Sequence, residues 1–401
     1  MAVRIAVVGG GGVGGLLAAL LARHAQRQEV ERAASMKIFL IQRAGPHQAA
    51  IAAQGISVRT VSGDGAAESR GAASEFRVSV DVATGATDVG VVDLIILAVK
   101  ALALPKVVRD MQPLYGAHTK VITLQNSVDA YSYLSRQILD GFRGYHGPDP
   151  ELEDYGVHCH PNVFPGLARV SAFVDEPGVV GVFPSFAGHD EPSLQIVFGY
   201  CPFQMDVSVA GAPSDGGPAG LTLQTVAQIL SSVRGLEVVA EHVDVLPALW
   251  TKVAIAASCG SICSLTATPT SVITTVPHIG PIIEQTIYEI TCVGKRLGVA
   301  LPEGFEETLC KTIRTLSING ATSQFLWSMQ RDIFNGKPSE LDWQLGPFVR
   351  KARSSGQTAT ACDIVYGCLL PRELLARQSL TLTWQENVFV PHAAHHSSSR
   401  G

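Results

Sequence analysis

The stretch Ile5-Ala6-Val7-Val8-Gly9-Gly10-Gly11-Gly12-Val13-Gly14-Gly15-Leu16-Leu17 decides how the N-terminal half is read. A short β-branched run leads straight into a glycine cluster, and the cluster leads straight into the apolar segment Leu16 to His24. Glycines at this density undermine one continuous helix, because each costs about 1 kcal/mol relative to alanine in a helix interior. A strand, a tight turn and a helix use them directly. For that reason no secretory leader is expected, although Arg4 and the apolar run to Ala22 have its outline. With no other uninterrupted apolar run of membrane-spanning length, no membrane span is expected either.

Gly9, Gly11, Gly12 and Gly14 fall in a G-x-G-x-x-G pattern that follows a strand and opens a helix. Gly9 permits the tight turn, Gly11 lets backbone approach a pyrophosphate, and Gly14 lets the helix pack on the strand. The helix N-terminus faces the phosphate charge. A dinucleotide site is therefore expected here; read alone, the glycines make only a flexible turn.

Working outward, Arg4 to Val8, Lys37 to Ile41, Val92 to Val99 and Lys120 to Leu124 are Val- and Ile-rich runs suited to strands buried on both faces of a parallel sheet. Further strands are predicted at Ala168 to Val174, Val179 to Phe183 and Leu194 to Phe198, with Glu176-Pro177-Gly178 as a turn. Gly-, Pro- and Ser-rich stretches near 141–162 and 205–218 read as surface insertions. From Leu221 helical patterns dominate: Leu221 to Arg234, Leu246 to Leu265, Gly280 to Leu297, Glu303 to Ser317, a segment ending near Phe334, Leu341 to Ser355, and a last one through Leu375. A short strand is predicted at Leu236 to Ala240. The fold class is α/β, a Rossmann-type domain at 1–218 and an all-helical domain at 219–385, with the tail 386–401 expected to be disordered.

The 401 residues suit two domains, and the 46% hydrophobic and 16% charged composition suits compact, well-buried ones. A net charge of -5 offers no broad basic surface, so a small-molecule substrate is expected rather than nucleic acid or a membrane. The eight cysteines are scattered, which reads as free thiols in a reducing, cytoplasmic setting. His158-Cys159-His160 is not read as a metal site, because adjacent residues of an extended chain point to opposite sides. No metal is expected.

The second strand ends Ile41-Gln42-Arg43, without the carboxylate that commonly takes the ribose hydroxyl of NAD. Arg43 offers a planar donor fork to a 2′-phosphate, so NADP(H) is the expected cofactor; its alternative is a surface arginine at a strand end.

Four further segments carry a resemblance. They are Ala98-Val99-Lys100-Ala101, Leu124-Gln125-Asn126-Ser127, Leu249-Trp250-Thr251-Lys252, and Trp327-Ser328-Met329-Gln330-Arg331-Asp332 continuing through Gly336 to Asp342. With the glycine motif, in this order, they resemble the ketopantoate reductase family within the 6-phosphogluconate dehydrogenase-like group. The resemblance implies that Lys252 is the general acid, Glu340 a substrate-binding carboxylate, Ser328 a contact to the substrate carboxylate, Asn126 a contact to substrate and cofactor, and Lys100 a cofactor-proximal lysine. It also implies a homodimer. The chemistry agrees: reducing a carbonyl leaves an alkoxide, which an ammonium stabilises and protonates. On the residues alone, Lys252 reads more readily as a snorkelling helix edge than as an acid, Glu340 as part of a capping box Ser339 to Asp342, and Asn126 as a turn residue.

The sequence departs from the family on the Lys252 helix, where asparagines four and eight residues on are replaced by Ala256 and Gly260. Spacing of four places them on the face of Lys252, with Ser264 one turn further as a partial substitute. A glycine there suggests that something approaches closely or needs space. The expected function is NADPH-dependent reduction of a 2-oxo acid or related ketone, of the 2-dehydropantoate 2-reductase type. Two alternatives are a carbonyl reductase for a larger, less polar substrate and a catalytically silent NADPH-binding sensor.

Overall fold

The computed structural model describes residues 2–30, 36–61, 75–139, 141, 160–183, 192–201, 221–318, 326–378, 380–385 and 388–393. The chain divides into two compact units, the first running to Leu249 and the second from Trp250 onward.

The first unit opens with β1 (Val3–Val8), α1 (Gly12–Val30), β2 (Met36–Ile41), α2 (Pro46–Gln54), β3 (Ile56–Thr60), β4 (Glu75–Val78) and β5 (Asp81–Ala83). It continues with β6 (Leu94–Leu97), α3 (Leu104–Asp110), β7 (Lys120–Thr123), α4 (Ala130–Leu139), β8 (Val163–Arg169), β9 (Ala172–Glu176), β10 (Val179–Val182), β11 (Leu194–Gly199), α5 (Leu223–Ser231) and β12 (Leu236–Glu241). One sheet has the order β12-β11-β8-β7-β6-β1-β2-β5. β1 pairs in parallel with β2 on one side and β6 on the other. The strand order therefore reverses at β1, and in open α/β sheets ligands bind at the carboxyl end of such a switch point. That end is Gly9.

A second sheet, β4-β3-β10-β9, was not foreseen in the sequence. It lies against α1, which on its other side packs on β1 and β2. Leu16 to Ala22 are consequently buried all round, which is why α1 lacks the usual polar face. The expected strand Ala168 to Val174 is two strands, because the chain leaves the large sheet after Arg169 and enters the small one at Ala172. At the predicted Glu176-Pro177-Gly178 turn, Gly178 has φ of 84°, a conformation glycine adopts without strain.

The border between units falls later than the expected 218/219. β12 pairs in parallel with β11, and α5 packs on β12, so both belong to the first unit. Hydrogen bonding, rather than the Gly- and Pro-rich composition before residue 221, decides which sheet claims them. The insertions near 141–162 and 205–218 lie almost wholly outside the described residues.

The second unit takes up α6 (Leu246–Ile255) from Trp250 and follows it with a π turn (Ala256–Gly260), α7 (Ser261–Thr266), α8 (Thr270–Ile273), α9 (Gly280–Arg296), α10 (Phe305–Ile318), α11 (Ser328–Phe334), α12 (Leu341–Gln344), α13 (Gly346–Ser354) and α14 (Thr360–Ala376). Leu246–Thr266 is long and apolar enough to cross a membrane, with a hydropathy of 1.4, but 72% of that window is buried inside the protein. It is a core helix. The expected helix Leu341 to Ser355 is broken at Leu345, where Pro347 follows in the first turn of α13.

Two expectations are corrected. The second unit is helical through Ala376, and part of the tail expected to be disordered forms a strand, since β13 (Leu380–Gln385) pairs antiparallel with β14 (Val388–Ala393). Alternating Leu and Thr in one strand, and Val-Phe-Val in the other, supply the β-branched and aromatic content that such a pair favours. Cys201 is disulfide-bonded, so the eight cysteines are not all free thiols; Cys259, Cys263, Cys292, Cys310, Cys362 and Cys368 are free.

Candidate active site

In the first unit the glycine turn is shaped from both sides. Gly9 has φ of 107°, and a Cβ there would meet Val99 Cγ1 at 2.7 Å. A Cβ at Gly14 would run into the Gly9 backbone and reach Ala98 Cβ at 3.0 Å. Gly11 differs: among the described residues, its immediate backbone aside, nothing lies within 4 Å of the position its Cβ would take. Two glycines are thus demanded by the fold and one leaves open space, the arrangement a pyrophosphate-bound turn needs. Gly12 has its own packing reason, because a Cβ there would strike the backbone of Ala172 and Phe173 in β9.

His47 of α2 fixes this turn, and no local signal in the sequence singled it out. Its Nδ1 accepts from Gly178 N at 2.9 Å, so the ring carries its proton on Nε2, which donates to Gly10 O at 2.9 Å. The glycine turn and the β9–β10 turn are thereby tied through one imidazole.

Arg43 follows β2, is exposed, and has no hydrogen-bond or ion-pair partner among the described residues. Beside it Gln42 lies over Gly10, with Oε1 buried and without a partner. A buried acceptor left unsatisfied beside the turn is costly without a ligand, so Gln42 joins the residues suited to a ribose hydroxyl. At the ends of β6 and β7, Gln125 Nε2 donates to Leu97 O at 2.9 Å and Val99 O at 3.1 Å, which sets the course of the chain into exposed Lys100. Asn126 follows, with Oδ1 buried and unpartnered. The residues of this end fit a dinucleotide.

The second unit holds Lys252, Ser328 and Glu340. Lys252 is half-buried in the last turn of α6. The π turn begins four residues later, so the simple rule of one face every four positions fails beyond Ala256. The wider turn carries an extra residue, and Ser261, buried with a hydroxyl that has no partner, is the i+5 counterpart of Ala256. The expected substitute Ser264 is not available, because its Oγ donates back to Gly260 O at 2.7 Å. Something does approach Gly260 closely: a Cβ there would touch the Trp327 ring at 3.4 Å.

Ser328 is the first residue of α11 and half-buried. α11 is braced by buried Gln330, whose Nε2 donates to Thr268 O at 2.9 Å and Cys263 O at 3.2 Å.

Glu340 is 5% exposed and sits at the N-cap of α12, but its side chain makes no cap hydrogen bond. The nearest thing to a cap is Ser339 Oγ, which accepts from Leu341 N at 3.3 Å. The Glu340 carboxylate is therefore not spent on the helix end, and Gln344 Nε2 donates to it at 3.4 Å. The residue before it, Ser339, is held from another helix. Glu373 of α14, 1% exposed, accepts from Ser339 N at 2.9 Å and from Ser339 Oγ at 2.5 Å. Arg377 Nε reaches Glu373 at 2.5 Å and its Nη2 reaches Asp342 at 2.9 Å, while Tyr366 OH donates to the other Asp342 oxygen. Burial raises the Glu373 carboxyl above its usual range and the Ser339 donors pull it back. The sequence reading missed Glu373 because a glutamate inside a helical pattern has no signature of its distant partner.

A turn shaped for a dinucleotide at a sheet switch point, with an ammonium and a carboxylate in a separate helical unit, defines a Rossmann-type cofactor-binding protein with a second functional unit. Residues 5–193 match the family model described as ketopantoate reductase PanE/ApbA, and residues 244–373 match its C-terminal counterpart. The chain belongs to the ketopantoate reductase family. It is 26% identical over 347 residues to the 2-dehydropantoate 2-reductase of Mesorhizobium japonicum, covering 84% of this chain and 88% of that one. Among solved structures, a PanE/ApbA family ketopantoate reductase from Ralstonia eutropha shares the fold with a TM-score of 0.68 and 20% identity, covering 93% of this chain and 99% of that one. A D-mandelate dehydrogenase with NADH and anilino(oxo)acetate superposes with a TM-score of 0.67 and 17% identity, over 93% and 99%.

Proposed function

We propose that the protein is an NADPH-dependent reductase of a 2-oxo acid or related ketone, of the 2-dehydropantoate 2-reductase type. The observation that carries this reading is the open space at Gly11 between the closed positions Gly9 and Gly14. The cofactor, when bound, delivers a hydride to the carbonyl carbon of the substrate. Lys252 stabilises the developing alkoxide and gives it a proton from Nζ. Glu340, buried and not used as a cap, orients the lysine or a substrate hydroxyl, and Ser328 meets the substrate carboxylate. Arg43, exposed and without a partner among the described residues, favours NADPH by offering its guanidinium to the 2′-phosphate. NADH in complex with D-mandelate dehydrogenase is the reason to measure both cofactors. A homodimer and a cytoplasmic location belong to the same reading, with the Cys201 disulfide counting against the second.

The test is steady-state oxidation of NADPH and of NADH with ketopantoate, simple 2-oxo acids and bulkier ketones. Turnover with at least one 2-oxo acid, faster with NADPH at low cofactor concentration, is expected. NADPH binding without turnover on any of them would instead favour a silent, sensing role.

A further inference from the structure

We propose that Trp327 is a specificity-determining residue, an apolar wall beside the Lys252 helix that selects 2-oxo acids with an aromatic side chain. The inference rests on the reductase reading and names its substrate class. Trp327 immediately precedes Ser328 and is half-buried. A Cβ at Gly260 would meet the indole Cγ and Cδ2 at 3.4 Å, so the ring packs directly on position 260. Helical side chains lean toward the N-terminus, so a residue at 260 would cover the π turn that follows the Lys252 helix. The ring stands in that place. Ala256, 8% exposed, adds no polar atom to it.

The ring is also fixed. Its Nε1 donates to Thr270 Oγ1 at 3.0 Å, and Thr270 is 2% exposed, with its hydroxyl in contact with Cys259 Sγ at 3.8 Å and Cys263 Sγ at 3.7 Å. A ring already held in one orientation loses little freedom when a flat group packs on it. A small hydroxylated side chain, by contrast, finds an indole and a methyl where it would need hydrogen-bond partners.

The experiment compares kcat/KM for phenylpyruvate with kcat/KM for ketopantoate and pyruvate in the parent, Trp327→Phe and Trp327→Ser, with fold checked by circular dichroism. The parent is expected to prefer phenylpyruvate. Trp327→Phe, which keeps a flat apolar ring, should retain the preference, and Trp327→Ser should reduce it about 10-fold or more. A parent that prefers ketopantoate or pyruvate, or an unchanged ratio in Trp327→Ser, overturns the assignment. If the parent reduces no 2-oxo acid at all, the reductase reading fails, and the wall is then judged by calorimetry. Phenyllactate binding more tightly than lactate to the NADP-loaded parent, and losing that advantage in Trp327→Ser, upholds it; equal binding in the parent overturns it.

Discussion

The glycines that make the turn of the first unit sit together in one short motif, whereas Glu340 and Gly260 of the second lie far apart in the sequence and are packed by residues of other segments. Gly9, Gly11 and Gly14 lie within one turn, the first and last closed by the packing around them and Gly11 left open. Ser339 is instead held by Glu373, and Gly260 is covered by Trp327. A cofactor common to many enzymes can be gripped by backbone, which a short motif encodes. A particular substrate is met by side chains whose supports come from far along the chain.

On the proposed function the second unit holds the chemistry and the first grips the cofactor, and variants can break that division. The largest effect is expected for Lys252→Ala, which should lower kcat by about 100- to 10,000-fold while the NADPH dissociation constant stays within about twofold. A parallel loss of cofactor affinity would undo the division.

Within the turn, Gly9→Ala and Gly11→Ala should separate fold from grip. Gly9→Ala forces a side chain into a positive φ and into Val99, which should cost about 1 to 3 kcal/mol of stability and lower Tm. Gly11→Ala meets no protein atom within 4 Å, so Tm should hold while cofactor affinity drops about tenfold. The reverse pattern, in thermal melts and cofactor titrations, would show that the open space is not the pyrophosphate site.

Arg43→Ala should weaken NADPH selectively by about 1.5 to 3 kcal/mol, the loss of a charge-assisted phosphate contact. Equal weakening of NADH in the same titrations would remove Arg43 from the phosphate site.

The smallest effect concerns stability in acid. Burial first, and Lys120 second, lower the His160 pKa from 6.5 to about 4. The unfolded chain then takes up a proton where the folded chain does not. Stability therefore declines as pH falls from 6.5 toward about 4 and is kept above that window. His160→Asn should flatten this part of the Tm profile; an unchanged slope would assign it to other groups.

How much was legible follows the same division. β6 and β7 fall within the predicted runs and β1 and β2 begin one residue before theirs, because strands buried on both faces are continuously apolar. The small sheet over α1 went unseen, since β3 and β4 are short and β10, which pairs with β3, comes much later in the chain. In the helical unit the segments were readable from periodicity, but the π turn was not. Its run Ala256-Ala257-Ser258-Cys259-Gly260 fits an ordinary helix equally well, and only the hydrogen-bond register distinguishes them. The extra residue changed which side chains follow Lys252, bringing forward Ser261 and leaving Ser264 bonded to Gly260. Lys252 and Glu340 themselves were reached through resemblance, because a lysine on an apolar helix and a glutamate beside a serine have ordinary explanations.

The central claim, that this chain reduces a 2-oxo acid with a nicotinamide cofactor, is tested most directly by isotope transfer. The parent is incubated with NADPH deuterated at C4 of the nicotinamide and with a 2-oxo acid, and the product is examined by mass spectrometry. The account predicts a 2-hydroxy acid carrying deuterium from one face of the cofactor on its carbinol carbon, and almost none in the same time from Lys252→Ala. Oxidation of the cofactor without deuterium in the product, or labelled product formed equally by both proteins, would contradict it.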